Sequence, residues 1–206
     1  CTFGIQNNLK ESLDKLSSEA EIAVREGYKH LILSDKQLSE NRTAIPMILA
    51  FGAINSKLVN LGIRSFASIN IQTGEALDTH SFAVLLGIGA TTINPYLAFD
   101  SIYQRYEKKL FSKFSYKECV QRYIKSVDNG LLKIMSKMGI SVLSAYRGGC
   151  NFETVGLSRA VVAEYFPGMI SRISGIGILG IEKKIKELHK KAFQKNLSIL
   201  PIGGFY

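Results

Sequence analysis

The sequence predicts an α/β fold: parallel βα units forming a partial barrel-like or open sheet flanked by helices. Three features predict it. Apolar residues alternate along the chain between helix-period stretches and short continuous runs. Gly27, Gly62, Gly87 and Gly139 each follow a helical stretch, where a left-handed residue would end a helix. The short runs are separated by helices of crossover length, which parallel strands need and hairpins do not.

The first helix carries Leu9, Leu13, Leu16, Ala20, Ala23 and Val24 on one face and is closed by Gly27. His30–Ser34 reads as a short buried strand. A polar loop covers 35–43. Pro46 suits the first turn of a second helix, whose apolar face holds Ile48, Leu49, Phe51, Ile54, Leu58 and Leu61. A strand over 65–72 leads to the turn Thr73-Gly74-Glu75. Asp78 or Thr79 caps a third helix that runs to Leu86. A third strand, 91–94, precedes Pro95 and a helix built on Leu97, Phe99, Ile102, Tyr103 and Tyr106. Ser115 and Glu118 fit a capping box. The helix they open runs, with a break near Gly130, to Met138. Residues 140–144 read as a fourth strand. A short helix over 158–165 and a basic amphipathic helix over about 181–193 complete the set.

With 206 residues the chain reads as a single domain over 1–206, large enough to bury a core without staples. Its composition excludes a disordered chain, and it has no apolar run long enough to span a membrane. Cys1, Cys119 and Cys150 are too far apart for a disulfide framework or zinc knuckle. Sparse cysteine fits a reducing, cytoplasmic compartment. A chain opening on Cys1 reads as a piece of something longer. The net charge is +9, and residues 101–139 hold nine basic against three acidic side chains. Tyr103, Tyr106, Tyr116 and Tyr123 interleave there, as a nucleic-acid platform would need. A solvated helix face with tyrosines packed beneath it is the favoured reading, and nucleic acid is not an expected partner.

In α/β folds, sites gather where parallel strands end. Ser34-Asp35, Thr73-Gly74-Glu75, Asn94 and Tyr146-Arg147 fall there, and His80 sits close enough to contact this rim. Gly148-Gly149 reads as a tight turn; the alternative is a self-standing βα protein holding a phosphorylated ligand through Arg147, Gly148 and Gly149. Gly175 to Gly180 matches a GxGxxG string. Residues 172–174 make a poor preceding strand, so a flexible lead-in to the last helix is preferred. His30 reads as packed or hydrogen-bonded, and His189 as solvated. No GxSxG elbow and no His/Cys metal spacing occurs. The residues taken alone support no catalytic constellation.

One longer string is more specific. Gly130-Leu131-Leu132-Lys133-Ile134-Met135-Ser136-Lys137-Met138-Gly139-Ile140-Ser141 resembles a signature of the glutamate synthase large chain. Further segments are similar in the same order: Leu33-Ser34-Asp35 with Ala44-Ile45-Pro46-Met47, Gly74-Glu75-Ala76 with His80-Ser81-Phe82-Ala83, and Asn94-Pro95-Tyr96-Leu97-Ala98-Phe99. Tyr146-Arg147-Gly148, Phe152-Glu153 and Gly156-Leu157-Ser158 continue the likeness. The part resembled is the C-terminal portion of the central domain. The resemblance implies a structural domain that walls an internal ammonia passage between an amidotransferase domain and an FMN domain. It also implies that FMN, an iron–sulfur cluster and the catalytic cysteine lie outside this chain, which would hold no cofactor and turn nothing over by itself. Ser136, Lys137 and Met138 are then signature residues. The chain departs from the family pattern at Ser81, where a second histidine is usual, and over residues 148–154 and 167–175.

Overall fold

A computed structural model describes residues 1–111, 113–149 and 151–194. Cys150 and residues 195–206 lie outside the described residues. At the centre is a three-stranded parallel sheet in the order β2-β4-β5, formed by His30–Ser34, Ser68–Gln72 and Thr92–Asn94. A two-stranded antiparallel pair, β1 (Thr2–Gly4) with β3 (Arg42–Ala44), and a two-stranded parallel pair, β6 (Glu153–Leu157) with β7 (Ile170–Ile176), lie outside it. The sheet is open, as predicted.

Helix α1 (Leu9–Arg25) starts where Asn8 Oδ1 accepts from the Lys10 N–H, and it buries Leu9, Leu13, Ser17, Ala20 and Val24. Helix α2 (Met47–Asn60) is buried on nearly all sides, because it packs against both α1 and α7 (Arg159–Tyr165). Gly52 makes the second contact possible: a β-carbon there would lie 2.6 Å from the Phe166 ring and 2.7 Å from the Tyr165 carbonyl. Pro46 stands at the N-cap rather than in the first turn and offers no side-chain cap. The Met47 N–H donates instead to the Glu75 carboxylate at 2.9 Å, a cap supplied from a different loop.

β2 is half-buried rather than buried. Leu31 and Leu33 turn into the core, while Ile32 is 70% exposed. The opposite face of this sheet keeps only partial cover on Ser68, Asn70 and Gln72, so β2 shows the period-two pattern of a one-sided sheet. The expected strand over 65–72 begins only at Ser68. A 3₁₀ turn, Arg64–Phe66, precedes it, pinned by Arg64 guanidinium bonds to Asn55 Oδ1, the Ala67 carbonyl and the Gly89 carbonyl.

Helix α3 (Thr79–Gly87) is capped by Asp78, whose carboxylate accepts from the Ser81 N–H. Gly87 lies inside it, and the left-handed residue after it is Gly89. α4 (Tyr96–Glu107) and α5 (Tyr116–Lys137) follow. The Ser115–Glu118 capping box is present in both directions. No break interrupts α5 at Gly130; a β-carbon there would sit 2.5 Å from the Thr79 methyl, so glycine lets α5 approach α3.

Residues 140–144 are not a strand. The chain turns through a Schellman cap, with Ile140 N–H on the Met135 carbonyl and Gly139 N–H on the Ser136 carbonyl, then forms a single turn, α6 (Leu143–Tyr146). The apolar run finds no strand partner; what it delivers is Tyr146, fully buried with its hydroxyl donating to the Ala83 carbonyl. The expected flexible lead-in before the last helix is instead β7, paired with β6. Gly175 belongs to that strand, where a β-carbon would strike the Gly156 carbonyl. α8 (Ile178–Ala192) closes the described fold. His189 on α8 is buried rather than solvated: its Nε2 lies 3.0 Å from the Glu40 carbonyl oxygen and its ring packs on Phe193.

Candidate functional site

Parallel register brings the ends of the central strands to one side. Ser34 pairs with Gln72, and Gln72 with Asn94. The residues that follow, Asp35, Thr73 and Tyr96, therefore meet on one rim. Asp35 is 4% exposed and Thr73 fully buried. The Asp35 carboxylate accepts from Thr73 Oγ1 at 2.5 Å and from the Gly74 N–H at 3.1 Å. The Glu75 N–H donates to Thr73 Oγ1, and the Thr73 N–H donates to the Asn94 carbonyl. Ser34 Oγ donates to Gln72 Oε1 at 2.8 Å. A buried carboxylate is tolerated here because converging O–H and N–H donors replace its water.

Two rim groups respond to this buried charge. Tyr96 is pushed up to about 12, first by burial and then by the hydrogen bond and charge of Asp35; the Lys36 ammonium lies over its ring. Glu75 keeps an open flank, but its carboxyl is held at the start of α2. Burial raises its pKa, the Met47 N–H opposes this, and the Asp35 charge adds to the rise.

The rim thus unites Ser34, Asp35, Thr73, Glu75 and Asn94 and adds Tyr96, at which only the Asn-Pro-Tyr step hinted. Arg147 is not on the rim, because the strand expected before it is absent; it lines a separate cavity with Arg64. His80 and Glu153 come together at a third place, a largely apolar cavity of about 360 Å³ shared with Leu49, Val84 and Phe152. Glu153 pairs there with Arg172. Ser136 and Lys137 form the exposed end of α5, and Met138, also exposed, is its C-cap. His30 Nδ1 lies 2.7 Å from Ser68 Oγ, as a hydrogen-bonded strand residue. The tyrosines of α4 and α5 pack on one another: Tyr116 meets Tyr103 and Tyr106, and Tyr123 meets Phe99.

The rim carboxylates are committed to backbone and hydroxyl donors, and the Thr73 hydroxyl that Asp35 accepts from is fully buried. Among the described residues no three His, Cys, Asp or Glu side chains are placed to hold a metal. The GxGxxG string places its first glycine within a strand pair instead of a phosphate turn. What the rim offers is a rigid polar collar on an apolar core.

A family model described as the glutamate synthase central domain matches residues 1–158. The chain belongs to the glutamate synthase central domain family. It is 52% identical over 198 residues to the glutamate synthase [NADPH] large chain of Azospirillum brasilense, a match that covers 96% of this chain and 13% of that protein. The corresponding large chain of Bacillus subtilis is 41% identical over 191 residues, covering 93% and 12%. A chloroplastic ferredoxin-dependent glutamate synthase of Spinacia oleracea is 36% identical over 204 residues, covering 94% and 13%. The chain spans about an eighth of the length of these curated relatives. In this central domain the model match ends just past β6; α7, β7 and α8 lie beyond it, though the relatives align through most of them. In the stretch from Gly130 to Ser141 the observed roles are packing ones: Gly130 admits α3, and Met135 to Ile140 make the Schellman cap. No described helix is long and apolar enough to cross a membrane.

Proposed function

We propose that residues 1–206 form a single domain, the C-terminal portion of the central domain of a glutamate synthase large chain, and that it guides ammonia while other domains make and break bonds. In the whole enzyme, glutamine and 2-oxoglutarate would yield glutamate. An amidotransferase domain and an FMN domain would be its partners, FMN and an iron–sulfur cluster would sit in those other parts, and the compartment would be the cytoplasm. The observation that carries this reading is the central-domain match over residues 1–158.

Physical chemistry favours such a role for the rim. Ammonia is mostly protonated in water near neutral pH, and a dry passage disfavours the charged form. A wall that keeps ammonia neutral needs fixed hydrogen-bonding groups and no free acid to protonate it. Asp35 is consumed by Thr73 and Gly74, and Glu75 by the start of α2. Asp35 is thereby turned inward, while Glu75, whose pKa burial raises, keeps one carboxylate oxygen on its open flank.

The test uses the large chain that carries this segment. Asn94→Trp at the exposed rim end of β5 should leave glutamine hydrolysis running. It should lower glutamate formed per glutamine consumed and release ammonia to solution. Glutamate formation from added ammonium salt should stay unchanged. A ratio that stays at the wild-type value would remove the rim from the passage. Stoichiometric flavin on the purified 206-residue chain, or turnover by it, would defeat the scaffolding role.

A further inference from the structure

The cavity that Arg147 lines is built around two arginines and no acid. It measures about 350 Å³ and lies between α2, the end of α3 and the turn after α7. Phe51, Phe166 and Met169 supply apolar wall, and Arg64 and Arg147 supply charge. No Asp or Glu is among the described lining residues, and neither guanidinium makes an ion pair with a described carboxylate.

Arg64 is held in place. Its three bonds go to neutral acceptors, Asn55 Oδ1 at 2.6 Å and the carbonyls of Ala67 and Gly89 at 2.8 and 3.3 Å. A guanidinium has five N–H groups in a fixed fork, so two remain. Burial lowers its pKa, and the charge of Arg147 lowers it further. Two like charges facing one cavity are a standing cost that a bound anion would reverse.

The walls discriminate between anions. Phosphate loops use a nest of free backbone N–H groups. Here those groups are occupied: Gly148 N–H donates to the Gly87 carbonyl, Gly89 N–H to Leu86 and Gly149 N–H to Tyr146. What remains is planar guanidinium against aromatic and aliphatic surface, which suits a carboxylate on an apolar body. We propose that this cavity binds a small carboxylate of that kind, with Arg64 as its fixed inner contact and Arg147 as its outer one.

The test is isothermal titration of the 206-residue chain with phenylacetate, acetate and inorganic phosphate at matched ionic strength. Phenylacetate should bind more tightly than acetate, and phosphate should not compete. Arg147→Ala should weaken phenylacetate about tenfold, the loss of one charge-assisted contact. The Arg147 side chain is exposed and makes no side-chain hydrogen bond among the described residues, so this variant should keep its circular dichroism and thermal midpoint. Lys117→Ala, which removes a charge that does not line the cavity, should bind as the wild type does. Absence of phenylacetate binding, an equal loss in Lys117→Ala, or an unchanged affinity in Arg147→Ala would each overturn the assignment. Phosphate binding as tight as phenylacetate would overturn the carboxylate preference.

Discussion

Replacing Asp35 by alanine should be among the most damaging single changes on the rim. Two donors lose their acceptor, the buried Thr73 hydroxyl and the Gly74 N–H. An unsatisfied buried donor costs about 1–3 kcal/mol. Thr73 in turn accepts from Glu75, so the whole Thr-Gly-Glu turn loosens. The expected loss is about 3 kcal/mol, a large share of a stability of about 5–15 kcal/mol. Urea unfolding of Asp35→Ala and Asp35→Asn beside the wild type would measure it. The asparagine variant keeps one carbonyl acceptor and should lose about half as much. A second readout isolates the charge. Asp35 helps hold Tyr96 at about 12, so Tyr96 should titrate lower in both variants, measured by ultraviolet difference absorbance. An alanine variant within about 0.5 kcal/mol of the wild type, or a Tyr96 titration unmoved in either variant, would refute the account of the rim.

Glu75 gives a pH signature. Its folded pKa is raised, so between the ordinary glutamate value of about 4.3 and the raised one the folded state holds more proton than the unfolded. Stability should therefore fall as pH rises through that window, and Glu75→Gln should flatten the fall while its carbonyl still caps Met47; an unchanged slope in chemical denaturation would contradict this. Gly130→Ala should destabilise by about 1–3 kcal/mol through overpacking on Thr79. Adding Thr79→Ala should recover part of the loss in a double-mutant cycle, because it removes the two atoms nearest the new methyl; strict additivity would show that the two helices do not touch there.

Much of the fold was legible because its causes are local. The apolar stripes of α1 and α2, the Ser115–Glu118 box, the Asp78 cap and the left-handed Gly27, Gly62 and Gly139 depend on residues within a turn or two of one another. The rim was legible for a related reason. Strand ends carry short polar residues, and a parallel sheet must gather its ends on one side. Ser34, Asp35, Glu75 and Asn94 met there as expected, and the family string identified the domain type.

The sequence alone determined the helices, their stops, the parallel central sheet and the family. Tertiary structure decided which short apolar runs became strands: β1, β3, β6 and β7 exist through their partners, while residues 140–144, equally apolar, found none and turned into α6 instead. It also decided that Glu75 caps a helix it does not belong to and that Arg64 and Arg147, far apart in the chain, share one cavity. The reason is physical: a helix satisfies its backbone within itself, whereas strand pairing, long-range caps and charged cavities take their energy from groups that only the folded chain brings within reach.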